Sequence, residues 1–367
     1  MALSKIQTSE MLDTPNLGRR NRIINGGMKI DQRNAGASVT YASGGSELYF
    51  VDRWAGNSTG STRFSMQRST VAPAGFANSL LITTTTAGTP ASGNFCYFKQ
   101  DIEGLNSSDL GFGTADAQTV TLSFWTRSSL TGTFGGSLSN SAANRRYPFP
   151  FTISVANTWE YKTITITGDT TGTWLTDNGR GIGVVFNLGT GSANKSTANA
   201  WGTTGISPTG SVDLVATASA TFYITGIQLE VGDTATPFEH RSFGEELSLC
   251  QRYFYTPAPA NTTHRYLFPL VATGSTGAFA VVLFPIPLRA TPTLDITISG
   301  GSYRFRANLG TVNGNSVSTN PSLGGNDSQF GCRLDWSSGF SGLTADKSGW
   351  LTNGDGGSGY FGFDAEL

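Results

Sequence analysis

The sequence has few ionisable side chains for its length. Only 13% of its 367 residues are charged, whereas a soluble globular chain usually has ~25%. Helical surfaces rely on Glu, Lys and Arg as solvent cover and as helix formers. Here Ser, Thr, Asn and Gly must cover the surface, and these residues favour strands, turns and loops. The composition therefore predicts a mostly β fold.

The sequence also lacks an excess of charge of one sign. It contains 24 basic and 25 acidic residues, for a formal net charge of −1. Nucleic-acid binding depends on clustered Lys and Arg that neutralise phosphates, so we expect no nucleic-acid partner. A weakly charged surface rich in hydroxyls and amides suits neutral partners such as glycans or other protein subunits. A solvated β surface without a partner is the alternative.

Cysteine and long apolar runs are scarce. Cys96, Cys250 and Cys332 lie far apart and show no CxxC or Cys/His ligand spacing, which predicts buried free thiols rather than a zinc site or disulfide framework. Residues 1–16 lack the apolar run of a signal peptide or membrane span. We expect a protein without cofactor or membrane insertion, made in the cytoplasm and assembled there into something larger.

Short segments of alternating apolar and polar residues predict strands along most of the chain. The clearest are residues 120–127, 160–167 and 220–231, the last with a bulge at Gly226. Further candidates are residues 63–68, 79–86, 95–102, 183–188, 278–284 and 293–299. Short strands separated by Gly, Ser and Asn turns indicate a sandwich or jelly roll.

The pattern divides the chain into four segments. Residues 1–22 form an N-terminal attachment segment, too short for an independent helix, whose arginines we expect to anchor it to acidic neighbours. Residues 23–241 form a jelly-roll or β-sandwich domain. Ser242 and Glu245 form a capping box that begins a linking helix within residues 242–255. Residues 256–367 form a smaller C-terminal β-sandwich. The predicted fold class is all-β.

Signatures of catalysis are weak. Neither of the two histidines lies in a nucleophile motif. Glycoside hydrolysis needs only two carboxylates, and the available pairs are Asp101 with Glu103 and Asp335 with Asp346. We therefore expect a protein that is not an enzyme, with polysaccharide depolymerase as the less favoured alternative.

Aromatic side chains offer the most specific binding chemistry. An exposed ring can cover the C–H face of a sugar while neighbouring polar groups bond its hydroxyls. Two of the seven tryptophans lie in Gly/Ser-rich segments near polar residues, as in binding loops on a rigid β scaffold. The predicted glycan-binding residues are Trp336, Trp350, Tyr303, Arg333 and Asp335. Burial in a core is the alternative for both tryptophans.

Several segments carry a family resemblance. They are GRRNRIINGGMKIDQRN, DRWAGNSTGSTRFSMQRSTVAPAGFANSLL, LSFWTRSSLTGTFGGSLSNSAANRRYPFPFTISVANTWEYKTITITGDTTGTW and FYITGIQLEVGDTATPFEHRSFGEELSLCQRYF. Together they span about residues 19–255, and they resemble a domain that recurs in bacteriophage tail fibres and related virion proteins. The sequences of these segments are most similar to those of marine and cyanobacterial phage fibres.

The resemblance implies a homotrimeric virion component with a carbohydrate-binding jelly roll. Such a protein would be attached to other tail or baseplate proteins by its N-terminus and would bind a host surface polysaccharide. A purely structural virion protein of the baseplate, collar or capsid, without receptor binding, is the alternative that the same resemblance allows. The expected location is the virion tail, assembled in the host cytoplasm.

Overall fold

The computed structural model describes residues 20–41, 44, 46–258, 266–296, 303–306, 316–317, 321–325, 327–338, 340, 343–352 and 361–367. Most of the predicted attachment segment, residues 1–19, lies outside this range. The chain forms two compact units. The first comprises Met1–Lys29, Ser38–Leu48 and Trp54–Ser242, and the second Ile30–Ala37, Tyr49–Arg53 and Phe243–Leu367. The predicted domain of residues 23–241 thus differs from the first unit, because two short segments within it belong to the second.

The first unit is built on two antiparallel sheets. Sheet A has the order β1-β4-β5-β14-β7-β10 and sheet B the order β2-β3-β6-β11-β8-β9. The strands of sheet A are β1 (Val39–Thr40), β4 (Arg63–Ser69), β5 (Ser79–Thr86), β7 (Val120–Ser128), β10 (Glu160–Ile166) and β14 (Thr221–Val231). Those of sheet B are β2 (Leu48–Val51), β3 (Trp54–Ser58), β6 (Phe95–Glu103), β8 (Gly132–Ser139), β9 (Arg146–Ile153) and β11 (Arg180–Thr190). A short parallel pair, β12 (Lys195–Ser196) and β13 (Ser207–Pro208), follows.

Aromatic side chains from both sheets meet in the core of the first unit. The Phe124 ring of sheet A lies edge-on to Phe186 of sheet B, with centroids 5.2 Å apart, and Phe98 stacks on Phe186 at 5.0 Å. All three rings are buried, and burying each stabilises the fold by about 1.5–3 kcal/mol. The alternating pattern read from the sequence therefore produces the predicted β-sandwich.

Two strands of sheet B depart from the usual strand composition. The β8 sequence GTFGGSLS is rich in glycine, and a Cβ on Gly136 would overlap the Val185 carbonyl oxygen of the next strand. The β9 sequence contains Pro148 and Pro150, which cannot donate to a ladder. Because β9 is at the edge of the sheet, those missing donors break no pairing.

The second unit contains helix α1 (Phe243–Gln251) and two sheets. The helix confirms the one predicted after the capping box. A three-stranded sheet consists of β15 (Phe254–Ala258), β24 (Phe361–Asp364) and β18 (Thr293–Ile296). A seven-stranded sheet has, in spatial order, β20 (Ser316–Val317), β19 (Tyr303–Arg306), β23 (Ser348–Thr352), β16 (Tyr266–Ala272), β17 (Ala278–Leu283), β22 (Gly331–Trp336) and β21 (Ser322–Leu323). Rings of the two sheets meet, for example Phe268 and Phe361 at 5.5 Å.

Buried arginines tie the ends of the second unit together. The guanidinium of Arg33 lies 3.5 Å from the centroid of the Phe254 ring, and that of Arg53 lies 3.5 Å from Tyr253. Both arginines form ion pairs with the Glu366 carboxylate near the C-terminus. Residues from the family-like segments MKIDQRN and DRW therefore have a structural role here.

Several local features lie as the sequence predicts. Arg20 and Arg22 form ion pairs with Glu230 at 3.4 Å and Asp109 at 2.5 Å, as expected for an anchored linker. The bulge at Gly226 is present, with φ of +62°. All three cysteines are buried free thiols, as predicted. Within the described ranges, no helix has the length and apolarity needed to cross a bilayer.

Candidate functional site

The prediction that Trp336 binds glycan is wrong. Its side chain is only 2% exposed and packs in the core of the second unit, with its ring 6.1 Å from that of Phe340. The sequence interpretation placed Trp336 in a loop. It is the last residue of strand β22, where Cys332, Leu334 and Trp336 alternate inward. A sugar cannot reach a ring on that face.

Three of the other predicted residues, Trp350, Arg333 and Asp335, share the opposite face of the same sheet. Trp350 on β23 is 46% exposed. Arg333 and Asp335 point outward from β22, and the guanidinium donates two bonds to Asp335 Oδ1 at 2.8 and 2.7 Å. Tyr303 begins strand β19, but its side chain lies outside the described residues. Val281, on strand β17 next to β22, adds an exposed apolar side chain to this face.

A second surface, on the outer side of sheet B, was not predicted. Side chains alternate across a strand, so the residues between the core phenylalanines face outward. The register places them in three rows: Asp101, Gly183, Ser139 and Arg146; Lys99, Val185, Ser137 and Pro148; and Asn57, Tyr97 and Asn187. We call this surface the polar face and define it by Tyr97, Lys99, Asp101, Ser137, Ser139, Arg146, Arg180 and Asn187.

Charged groups on the polar face are held in place by one another. Lys99 Nζ lies 2.6 Å from Asp101 Oδ2 and 2.5 Å from Glu47 Oε1. Lys99 and Asp101 are 6% and 5% exposed although they point away from the core. Charges that are both paired and shielded from water keep a fixed geometry, so this part of the face is preorganised.

Arg180 lies across the polar face over a glycine. A Cβ on Gly183 would overlap Arg180 Nη2, so only glycine leaves room for the guanidinium there. From that position Arg180 Nε lies 3.0 Å from Asp101 Oδ1, and Nη2 donates to Ser139 Oγ. Asp101 and Ser139 are the two register neighbours of Gly183. The glycine thus fixes a cation at the centre of the first row.

Two polar atoms on the polar face are buried without a protein partner. Ser137 Oγ and Asn187 Oδ1 make no hydrogen bond, although Asn187 Nδ2 donates to Val212 O at 3.3 Å. An unsatisfied buried polar atom costs about 1–3 kcal/mol and needs an explanation. A sugar cannot supply the missing partners, because both side chains are about as deeply buried as Trp336 and the segment containing Val212 contacts Asn187. A partner small enough to be enclosed there, such as a water molecule, would satisfy both atoms.

An aromatic edge borders the face. The Tyr97 ring stacks on Phe95 with centroids 5.1 Å apart, and both side chains are partly exposed. Burial, together with the nearby carboxylates of Glu47 and Asp101, raises the pKa of Tyr97 to about 12. The phenol therefore stays protonated and can donate a hydrogen bond across the physiological pH range. Rings beside fixed polar groups are the arrangement expected of a sugar-binding surface.

The sequence of strand β6 contains a signal for this site. The strand FCYFKQDIE carries Tyr97, Lys99 and Asp101 at every second position, opposite the apolar residues of its other face. Paired polar residues on one side of a buried strand indicate a functional or covered face. Among the residues that the structure describes, no group of three or more His, Cys, Asp or Glu could hold a metal ion.

Comparison with known proteins gives structural neighbours only. No family model and no curated protein matches the chain. Among solved structures, the chain is similar to the enzymatically active domain of tailspike protein 4 of bacteriophage CBA120, at 12% identity and a TM-score of 0.29, over 58% of this chain and 22% of that one.

Two further neighbours come from bacteria. One is a family 11 carbohydrate-binding module from Clostridium thermocellum in complex with a β-1,3-1,4-mixed-linked tetrasaccharide, at 13% identity and a TM-score of 0.27, over 56% of this chain and 100% of the module. The other is the N-terminal cellulose-binding domain of Cellulomonas fimi β-1,4-glucanase C, at 12% identity and a TM-score of 0.24, over 56% and 93%.

Proposed function

We propose that this chain is a glycan-binding virion protein of the tail-fibre type and that the polar face holds the glycan. The observation that carries the proposal is the partly exposed Tyr97 ring, stacked on Phe95, on a face that also presents the partly exposed guanidinium groups of Arg146 and Arg180. A ligand that brings several hydroxyls and an apolar C–H face fits both features.

The virion assignment rests on the resemblance of residues 19–255 to tail-fibre segments. In this proposal residues 1–22 attach the chain to other virion proteins and the glycan belongs to the host envelope. The alternative is a structural virion component without a receptor. Binding of purified protein to an array of bacterial envelope polysaccharides distinguishes the two, since only the first predicts binding.

The same array tests the location of the site. Tyr97→Ala and Arg180→Gln each remove one element of the polar face, and we expect each to weaken binding about tenfold or more. Trp125→Ala is the matched control, because this partly buried tryptophan lies on sheet A and packs at 5.3 Å against Tyr161. Unchanged binding by both polar-face variants would remove the site from this surface.

The outer face of the seven-stranded sheet is the second candidate site. The observation in its favour is that Trp350, Arg333 and Asp335 share that face and that Trp350 is exposed. This face offers fewer groups that could form hydrogen bonds with sugar hydroxyls than the polar face does. If Trp350→Ala abolishes array binding while Tyr97→Ala leaves it intact, the glycan binds the second unit instead.

Association into homotrimers is part of the proposal. Exposed apolar side chains of the second unit, Leu283 at 77% and Phe330 at 66%, support contact between copies, since apolar surface of this kind marks interaction sites. Light scattering of the purified chain is expected to give three times the monomer mass. A monodisperse monomer would contradict this part of the proposal.

We propose binding without turnover. Glycoside hydrolysis needs one carboxylic acid that donates a proton and a second carboxylate across the scissile bond. At the polar face, the carboxylates of Glu47 and Asp101 both pair with the Lys99 ammonium, so they serve as acceptors and not as the proton donor that hydrolysis needs. Incubation of the protein with a bound polysaccharide is expected to release no new reducing ends, and steady release would overturn this point.

A further inference from the structure

Two of the three cations of the polar face are held in ion pairs. Lys99 contacts the carboxylates of Glu47 and Asp101, and Arg180 is paired with Asp101. That leaves Arg146 as the cation without a carboxylate among the residues that the structure describes.

Arg146 is fixed at the edge of the face. Its backbone N–H donates to Gly202 O and its carbonyl oxygen accepts from the Gly202 N–H, both at 2.8 Å. Its Nε donates to the Ala143 carbonyl at 3.1 Å. A guanidinium has five N–H donors, and within the described ranges the four others of Arg146 meet no protein acceptor. They are available to a ligand.

Arg146 and Arg180 lie close together. Arg146 is opposite Ser139 in the register, and Ser139 accepts the bond from Arg180. Directly opposed side chains have Cβ atoms about 5 Å apart, so the two guanidinium groups are near neighbours. Burial, followed by the repulsion of Arg180, lowers the pKa of Arg146. Two like charges in a partly buried position are costly, and an anion between them removes that cost.

We propose that the polar face selects glycans that carry an anionic group, a uronate carboxylate or a sulfate ester, and that Arg146 and Arg180 bind this group between them. Planar guanidinium groups bind carboxylate and sulfate-like oxygens with paired N–H donors. The neutral part of the sugar then lies over Ser137 and beside Tyr97. This inference deepens the proposed function and rests on it.

The experiment measures binding of three simple sugars to the full chain. Glucose, glucuronate and glucose 6-sulfate are titrated separately into protein labelled with 15N-arginine, and the Nε–H signals of the arginines are followed. We expect the charged sugars to shift the signals of Arg146 and Arg180, with a Kd about tenfold lower than that of glucose. The two charged probes distinguish a carboxylate from a sulfate preference.

Two variants test whether Arg146 is responsible. Arg146→Gln is expected to bind all three sugars equally weakly, whereas Arg146→Lys retains part of the preference because it keeps the charge and loses the paired donors. Arg127→Gln, which removes a partly exposed arginine of sheet A, is the matched control and is expected to bind as the parent does. Thermal unfolding of Arg146→Gln is expected at the parent temperature or above it, since the substitution relieves repulsion.

The outcomes separate this inference from the proposed function. An equal response to glucose and to both charged sugars overturns the anion preference and leaves glycan binding at the polar face intact. A preference that survives in Arg146→Gln also overturns it. No response of any polar-face residue to any of the sugars, together with unchanged array binding of Tyr97→Ala, overturns both proposals.

Discussion

The position of Arg180 depends on the absence of one methyl group, and this gives the sharpest prediction. In Gly183→Ala the new Cβ overlaps Arg180 Nη2. The obstacle is the far end of a flexible side chain, so we expect the guanidinium to move off the face and the strand to remain in place. The substitution therefore tests the polar face without creating a cavity in the core.

The effect on stability follows from the contacts that Arg180 loses. Its charged bonds to Asp101 and Ser139 contribute about 1.5–3 kcal/mol. Alanine in place of a strand glycine regains about 0.4–1 kcal/mol through the unfolded chain. The net loss is about 1–2 kcal/mol, which lowers the Tm by about 2–8 °C for a unit of this size. Denaturant titration and thermal unfolding followed by circular dichroism measure it.

The same substitution should also affect binding. Displacing a fixed cation from the polar face should weaken glycan binding about tenfold, equivalent to about 1.4 kcal/mol. Gly274→Ala in the second unit is the control, because no atom lies within 4 Å of a Cβ placed there. If Gly183→Ala binds glycan as tightly as Gly274→Ala does, the reasoning about Arg180 is wrong.

Three further predictions concern stability. Burial alone would raise the pKa of Asp169, but the bonds from Arg145 hold that pKa below the ordinary 3.8. The stabilisation from these bonds is complete above about pH 4 and is lost as the pH falls through the folded-state pKa of Asp169. The acid-unfolding curve of Asp169→Asn should therefore be flatter in that pH range. Glu366→Gln breaks buried ion pairs and should lower the free energy of unfolding by about 3 kcal/mol in urea titration, and a change below about 0.5 kcal/mol would contradict the pairing. Trp336→Ala should cost about 3–5 kcal/mol and Trp350→Ala less than about 1 kcal/mol, so equal losses would refute the assigned burial.

Much of the fold could be predicted from local pattern. Strands β7 and β14 were found within a residue of their observed ends because one face of each is apolar and the other hydroxylated. Strands β8 and β9 were missed, since glycine and proline oppose strand formation in isolation. They form because β9 is an edge strand and because Gly136 permits close approach of Val185. Such tertiary reasons are not visible in a short window.

The site was harder to predict than the fold. Tyr97, Ser137, Arg146 and Arg180 come from four different strands, and only the order of sheet B brings them together. The two tryptophans of the predicted site occupy similar Gly/Ser-rich sequence surroundings. One is buried and the other exposed because strand register, which a loop-like composition conceals, decides the side of the sheet on which each ring lies.

The central claim is that the outer face of sheet B binds a glycan. The most direct test is a crystal structure of the chain with an oligosaccharide prepared from a polysaccharide that it binds on the array. We predict a sugar ring against the partly exposed Tyr97, with polar groups of the glycan within hydrogen-bond distance of the Arg146 and Arg180 guanidinium groups. A sugar bound at Trp350 of the second unit, with the polar face occupied by water alone, would contradict it.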